Sequence, residues 1–128
     1  MTGGFEVGTS VSVRALHRMP VEGPEGELHP HDYRIDVVVE RPALDEHGMV
    51  VDLDVLNEAL QGIAGSVAGR DLEAIRPPEA EAVTVEIFAR WVHGKLAAAL
   101  AADPDADLTV RVWESDKAFG GFRAPITS

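Results

Sequence analysis

The chain has 128 residues, 45% of them hydrophobic, and no cysteine. That is enough for one domain with its own core, and it excludes disulfides, thiolate metal ligands and a cysteine nucleophile, so any zinc site must use His, Asp or Glu. A formal net charge of −11 repels phosphate backbones and anionic lipid, which argues against nucleic acid or membrane partners but leaves room for a small phosphorylated ligand.

The first residues, Met1 to Glu6, show no basic segment followed by an apolar one, so a cytoplasmic location is the default. No later run approaches the roughly 18 apolar residues of a membrane-spanning helix. From Phe5 to His17 the odd positions read Phe5, Val7, Thr9, Val11, Val13, Ala15, His17, against mostly polar even positions. Alternation with period two predicts a half-buried strand. Pro20, Gly23, Pro24 and Gly26 then mark a loop. A second strand follows from His29 to about Glu40, with His29, His31, Tyr33, Ile35, Val37 and Val39 in one row. The two strands are expected to pair as an antiparallel hairpin.

A turn at Pro42 and residues 45–48 precedes Leu53, Leu56, Leu60, Ile63 and Val67, which recur at helical spacing. Thr84 reads as the N-cap of a second helix, whose face is Val85, Phe88, Val92, Leu96 and Leu100, with Pro104 closing it. Leu108 to Ser115 alternates again, and Ala118 to Ala124 reads as a short last strand weakened by Gly120 and Gly121. The order strand, strand, helix, helix, strand, strand predicts a single α+β domain with an antiparallel sheet covered by helices on one face.

The alternation breaks at informative places. The apolar row of the first strand ends in His17, and that of the second begins with His29 and His31. Residues two apart on a strand share a face, so three imidazoles converge at one end of the sheet if both rows face the same core. Three His ligands with an open fourth position form the pattern of catalytic zinc; the alternative is ordinary strand histidines with satisfied hydrogen bonds. His47, in a turn, and His93, on a helix, show no such convergence and read as structural or solvated. Glu114 continues the row Leu108, Val110, Val112. A carboxylate on a buried face is expensive unless paired or bound to a ligand, the alternative being a strand-end Glu that reaches solvent. Glu86, in the first turn of the second helix, suits the helix dipole. Trp91, Trp113 and Phe119 read as packing residues.

Several segments together resemble a known family. His17-Arg18-Met19 and His29-Pro30-His31-Asp32-Tyr33 are similar to its His-Arg-Leu and His-Gly-His-x-Tyr segments. Gly48-Met49-Val50-Val51-Asp52-Leu53, Thr84-Val85-Glu86 and Val112-Trp113-Glu114-Ser115 resemble its Gly-Met-Val-x-Asp-Phe, Pro-Thr-x-Glu-Asn and Val-x-Glu-Thr segments, in the same order. These are marks of the 6-pyruvoyl-tetrahydropterin synthases and the related 6-carboxytetrahydropterin synthases. The resemblance implies the tunnelling fold, a four-stranded antiparallel sheet with two helices on one face, in subunits that assemble as homo-oligomers, trimers or hexamers, with active sites between them. It also implies zinc held by His17, His29 and His31, and a pterin-like ligand anchored by Glu114 and Glu86, since a carboxylate accepts a paired donor set well.

The chain also departs from the family pattern. The family's catalytic cysteine is absent; counting back four residues from His29 gives Glu25 as the candidate acid/base, with Glu22 and Glu27 as neighbours, against the alternative of a solvated acidic loop. The family's Leu-Asp-His segment aligns with Val67-Ala68-Gly69, where neither Ala68 nor Gly69 can move a proton, and Asp71 lies too late to replace them. Pro30 replaces a glycine between two of the ligands and fixes φ there. The expected function is therefore zinc-dependent lyase or aldolase-type chemistry on a pterin-like substrate. The alternatives are a non-catalytic pterin-binding protein, or an enzyme for another small heterocyclic or carbonyl compound.

Overall fold

The computed structural model describes residues 3–127. Strand β1 (Phe5–His17) pairs antiparallel with β2 (His29–Arg41), as the alternation predicts. Helices α1 (Leu53–Val67) and α2 (Val85–Ala99) follow, and then β3 (Asp103–Trp113) and β4 (Phe119–Ile126). The strands lie in the order β1-β2-β3-β4, so every neighbouring pair is antiparallel and β1 and β4 are the edges.

One face of the sheet carries the core. Val13 and Ala15, then Tyr33, Ile35, Val37 and Val39, then Leu108, Val110 and Val112 are buried under the helices. Helix α1 packs on β1, and α2 on β3 and β4. The helices present Leu56, Leu60 and Val67, and Phe88, Val92 and Leu96, to that face. Each large apolar side chain removed from water contributes about 1.5–3 kcal/mol, so this layer dominates the favourable side of folding. Both helices start on side-chain caps: Asp52 Oδ1 accepts from Asp54 N at 2.9 Å, and Thr84 Oγ1 from Ile87 N at 3.2 Å.

Two local features differ from what the sequence alone shows. Pro104 does not close the second helix. That helix stops at Ala99, and Pro104 lies inside β3, which starts at Asp103 rather than at Leu108. The register shifts between Asp103 and Asp107, and such an irregularity is where a strand tolerates a residue without an N–H. Pairing of Asp103 with Ile126 extends the strand past the point where its own sequence reads as a turn. The second difference is a short 3-10 turn at Leu72–Ile75, capped by Asp71, in a stretch whose sequence shows no periodicity.

The segment between the helices also closes part of the sheet's edge. Gly69 N donates to Arg14 O at 2.7 Å, and Leu16 N to Arg70 O at 2.8 Å. Leu16 and Asp71 form a parallel bridge. The last residues of β1 are thus paired on both sides, which fixes where His17 emerges.

Candidate functional site

The antiparallel register sets His17 directly opposite His29. Their rings lie 5.6 Å apart, and His29 and His31 lie 6.2 Å apart. Three imidazoles around one tetrahedral ion, each nitrogen about 2.0–2.1 Å away, would put ring centres roughly 5 Å apart. The cluster is therefore close to that spacing, and a little open on the His31 side. Beyond it an aromatic series runs inward, from His31 to Tyr33 at 4.9 Å and from Tyr33 to Phe88 at 5.3 Å. Tyr33 is buried, and its hydroxyl titrates well above the usual tyrosine range, first because of burial and then because of the Glu114 carboxylate.

The three rings differ in what their nitrogens do. His17 Nε2 is buried and has no hydrogen-bond partner, a costly state for a polar atom. Burial, and next the neighbouring His29, hold the His17 pKa below its ordinary value, against a backbone hydrogen bond with Val83. His29 Nδ1 lies 2.8 Å from Glu27 O. A carbonyl only accepts, so this nitrogen carries the proton and Nε2 keeps a free lone pair. His31 Nε2 lies 3.1 Å from Glu114 O and by the same argument is the protonated one. His29 and His31 thus each hold one nitrogen on a main-chain carbonyl and keep a lone pair on the other, Nε2 in His29 and Nδ1 in His31. Among the described residues no group of three or more His, Cys, Asp or Glu side chains is arranged to hold a metal ion.

Glu25 reaches this cluster from the loop after β1, with Oε2 3.7 Å from His29 Nε2. The loop is held shut by its own backbone: Met19 N donates to Glu25 O at 2.8 Å and Val21 N to Met19 O at 2.9 Å. Gly26 makes that possible, because a Cβ there would fall 1.9 Å from Val21 O. The solvated-loop reading is right about exposure, since the Glu25 side chain is 70% exposed. The fold nonetheless aims its carboxylate at His29.

Glu114 stands just past the end of β3 and is exposed in the isolated chain. Of the two readings of Glu114, the strand-end carboxylate that reaches solvent is the one found, and the β2–β3 ladder stops at Arg34↔Trp113, one residue short of it. Its carboxylate still acts on both His17 and Tyr33, so it is part of the same neighbourhood. Glu86 is exposed in the first turn of α2. It packs against the start of β4, where a Cβ on Gly120 would meet Val85 Cγ2 at 2.6 Å and Glu86 Oε1 at 3.0 Å. His93 is structural, buried with Nε2 3.1 Å from Ala124 O. His47 is exposed in its turn.

A cavity of about 580 Å³ opens on the uncovered face of the sheet, and none of the three imidazoles lines it. Of the residues selected from sequence only Glu114 lines it, beside Arg14, Asp32, Arg34 and Trp113. That face carries a chain of contacts the sequence reading missed. Arg34 lies 4.7 Å over the Trp113 ring, Trp113 lies 4.5 Å from Phe119, and Arg111 lies 5.1 Å over Phe119. Trp113 Nε1 donates to Asp36 at 2.8 Å. The parity of Trp113 with Thr109 and Arg111 was the available signal. A smaller cavity of about 290 Å³ joins His17 to Arg18, Asp71 and Glu73.

A four-stranded antiparallel sheet with two helices on one face is the tunnelling fold. Known structures share it: the Caenorhabditis elegans 6-pyruvoyl tetrahydropterin synthase superposes with a TM-score of 0.73 at 19% identity, over 95% of this chain and 96% of that one. A Plasmodium vivax 6-pyruvoyltetrahydropterin synthase with a catalytic glutamate replaced gives 0.77 at 13% identity, over 96% and 99%. The Plasmodium falciparum enzyme gives 0.74 at 14%, over 95% and 98%. No curated protein matches the chain by sequence. The model of the 6-pyruvoyl tetrahydropterin synthase family matches residues 6–125, and the chain belongs to that family.

Proposed function

We propose that the protein is a zinc-binding lyase of this family that cleaves a carbon–carbon bond in the side chain of a pterin-like substrate, with Glu25 as acid/base. The observation that carries the reading is the orphaned His17 Nε2 beside the free Nε2 of His29, with the Glu25 carboxylate 3.7 Å from the latter. A buried imidazole nitrogen with no partner fits a metal donor, and the backbone bond on His29 Nδ1 fixes the tautomer that coordination needs. His17, His29 and His31 would hold the ion.

When bound, zinc supplies Lewis acidity to an oxygen on the substrate side chain. Glu114 and Glu86 accept hydrogen bonds from the amino and N–H groups of the pterin ring and fix its orientation. Glu25 takes the proton of a side-chain hydroxyl. The bond between the first and second side-chain carbons breaks, a carbonyl forms on the departing fragment, and the electron pair passes to the ring-side carbon. Glu25 then returns its proton to that carbon. A relative's catalytic glutamate supports a carboxylate in this role. The reading includes a cytoplasmic homo-oligomer, a trimer or hexamer.

One observation favours a second reading, a pterin-binding protein without turnover. Ala68 and Gly69 are exposed and offer no titratable group, and Gly69 N is spent on Arg14 O. Asp71 caps the 72–75 turn through Glu73 N at 2.9 Å. Chromatography of zinc-loaded protein incubated with 7,8-dihydroneopterin or its triphosphate, with Glu25→Ala alongside, separates the two. The lyase gives product that Glu25→Ala does not. Zinc-loaded protein that binds the pterin and never changes it is the binding protein.

A further inference from the structure

The domain is left open at the end away from the imidazoles, where β1 starts, β2 ends and α1 begins. Of the seven large apolar side chains exposed among the described residues, Phe5, Leu44, Leu53 and Val55 belong to this end. Beside them a cavity of about 370 Å³ is walled by Val50, Val51, Val55, Leu100, Ala106 and Ile126. Single apolar residues on a surface are ordinary, but a group of them around an apolar cavity marks an interaction surface.

Charge decides what this surface meets. The cavity is also lined by three carboxylates, Asp45, Asp52 and Asp103, and by one cation, Arg41. Arg41 is already held, with Nε 3.2 Å from Asp103 and Nη1 donating to Val50 O at 3.3 Å. The main chain fixes the other two carboxylates. Asp45 Oδ1 accepts from His47 N at 2.8 Å and Met49 N at 3.0 Å, and Asp52 caps α1. Neither has an ion-pair partner among the described residues. Arg41 also lines a second cavity, of about 410 Å³, where the register sets Glu6 opposite Glu40 and Glu40 opposite Asp107. Like charges facing across strands oppose each other, and of these three only Asp107 has a cation among the described residues, Arg123 at 3.1 Å. A second copy of this chain would bring the same acidic rim to the contact, and an anionic lipid surface would be repelled by it.

We propose that this end of the domain docks a partner protein through a segment in which an apolar side chain is flanked by lysine or arginine. The apolar side chain enters the cavity past Val55, and the flanking cations meet Asp45, Asp52 and the Glu6–Glu40 pair. Removal of that side chain from water supplies the affinity. The fixed carboxylates select the cations and speed the encounter. The surface lies at the far end of the sheet from His17, His29 and Glu25, so the proposal is independent of any metal or pterin.

The experiment is fluorescence anisotropy on the full chain with short labelled peptides: one alternating lysine and leucine, one lysine and serine, one glutamate and leucine. The lysine–leucine peptide should bind at least roughly ten-fold tighter than either of the others, as burial of one apolar side chain predicts. Val55→Asp separates docking from plain attraction to an acidic protein. It removes part of the apolar wall and adds a negative charge in the first turn of α1, where the helix dipole favours one. Docking then weakens about ten-fold, whereas plain attraction strengthens. Ala102, exposed and part of the cavity wall, gives a second variant: Ala102→Trp fills the cavity without changing the charge and should weaken binding likewise. Gln61→Glu adds the same charge on the exposed side of α1 and should leave binding unchanged. Equal or tighter binding by Val55→Asp and Ala102→Trp overturns the proposal, as does equal binding of the lysine–serine peptide. If the lysine–leucine peptide does not bind, the proposal also falls, and sedimentation of the same variants then shows whether this surface meets a second copy.

Discussion

Gly26→Ala tests whether the loop after β1 is what delivers Glu25. A methyl at this position would fall 1.9 Å from Val21 O and 3.1 Å from Val21 C. Ordinary C···O contacts lie at about 3.3–3.6 Å, so the backbone must give by more than about 1 Å. The displaced carbonyl belongs to the loop in which Met19 N holds Glu25 O at 2.8 Å. The 24–26 turn buries none of its residues, and Val21 is 55% exposed, so the strain is relieved by local opening rather than by unfolding. The global cost should stay near the lower end of the 1–3 kcal/mol typical of overpacking. Amide exchange by NMR should show Met19 and Val21 losing protection while the amides of β1 and β2 keep theirs. A misplacement of about 1 Å in a reacting group costs on the order of 100-fold in rate, so turnover should fall by that factor and approach Glu25→Ala. Intact protection at Met19 and Val21, or parent-level turnover from a variant whose loop has opened, would refute the reasoning.

Stability should fall on the acid side because of His17. Its folded-state pKa is depressed, by burial first, from the ordinary 6.5, so the unfolded chain binds that proton first as pH drops. Its contribution is complete above about pH 6.5 and is lost through the window below it, and denaturant titrations of His17→Gln across pH 7 to 5 should show a shallower decline. Phe88→Ala removes a side chain that is 1% exposed at the centre of the helix–sheet layer and should cost about 3–5 kcal/mol in urea unfolding. Gly120→Ala places a Cβ 2.6 Å from Val85 Cγ2; it should cost about 1–3 kcal/mol and loosen the first turn of α2, which carries Glu86.

The sequence by itself determined most of the architecture. Strict alternation gave β1 and β2 their faces and ends, from Phe5 to His17 and from His29 onward. Helical spacing gave both helices their faces, and Thr84 was legible as the cap of the second. These signals are local, since a period and a cap are written within a few residues. The same parity put His29 and His31 on one face, and antiparallel pairing was enough to bring His17 opposite His29. Only the tertiary structure decided the rest, because each remaining feature depends on a partner far away in the chain. Pro104 joins a strand because Ile126 pairs with Asp103. Glu114 is exposed because β2 stops pairing one residue too early to cover it. Glu25 meets His29 because the Val21 carbonyl sits over a residue with no Cβ. His31 is tied to the end of β3 because its ring reaches a carbonyl 83 positions away, and no pattern within β2 encodes where that carbonyl will be.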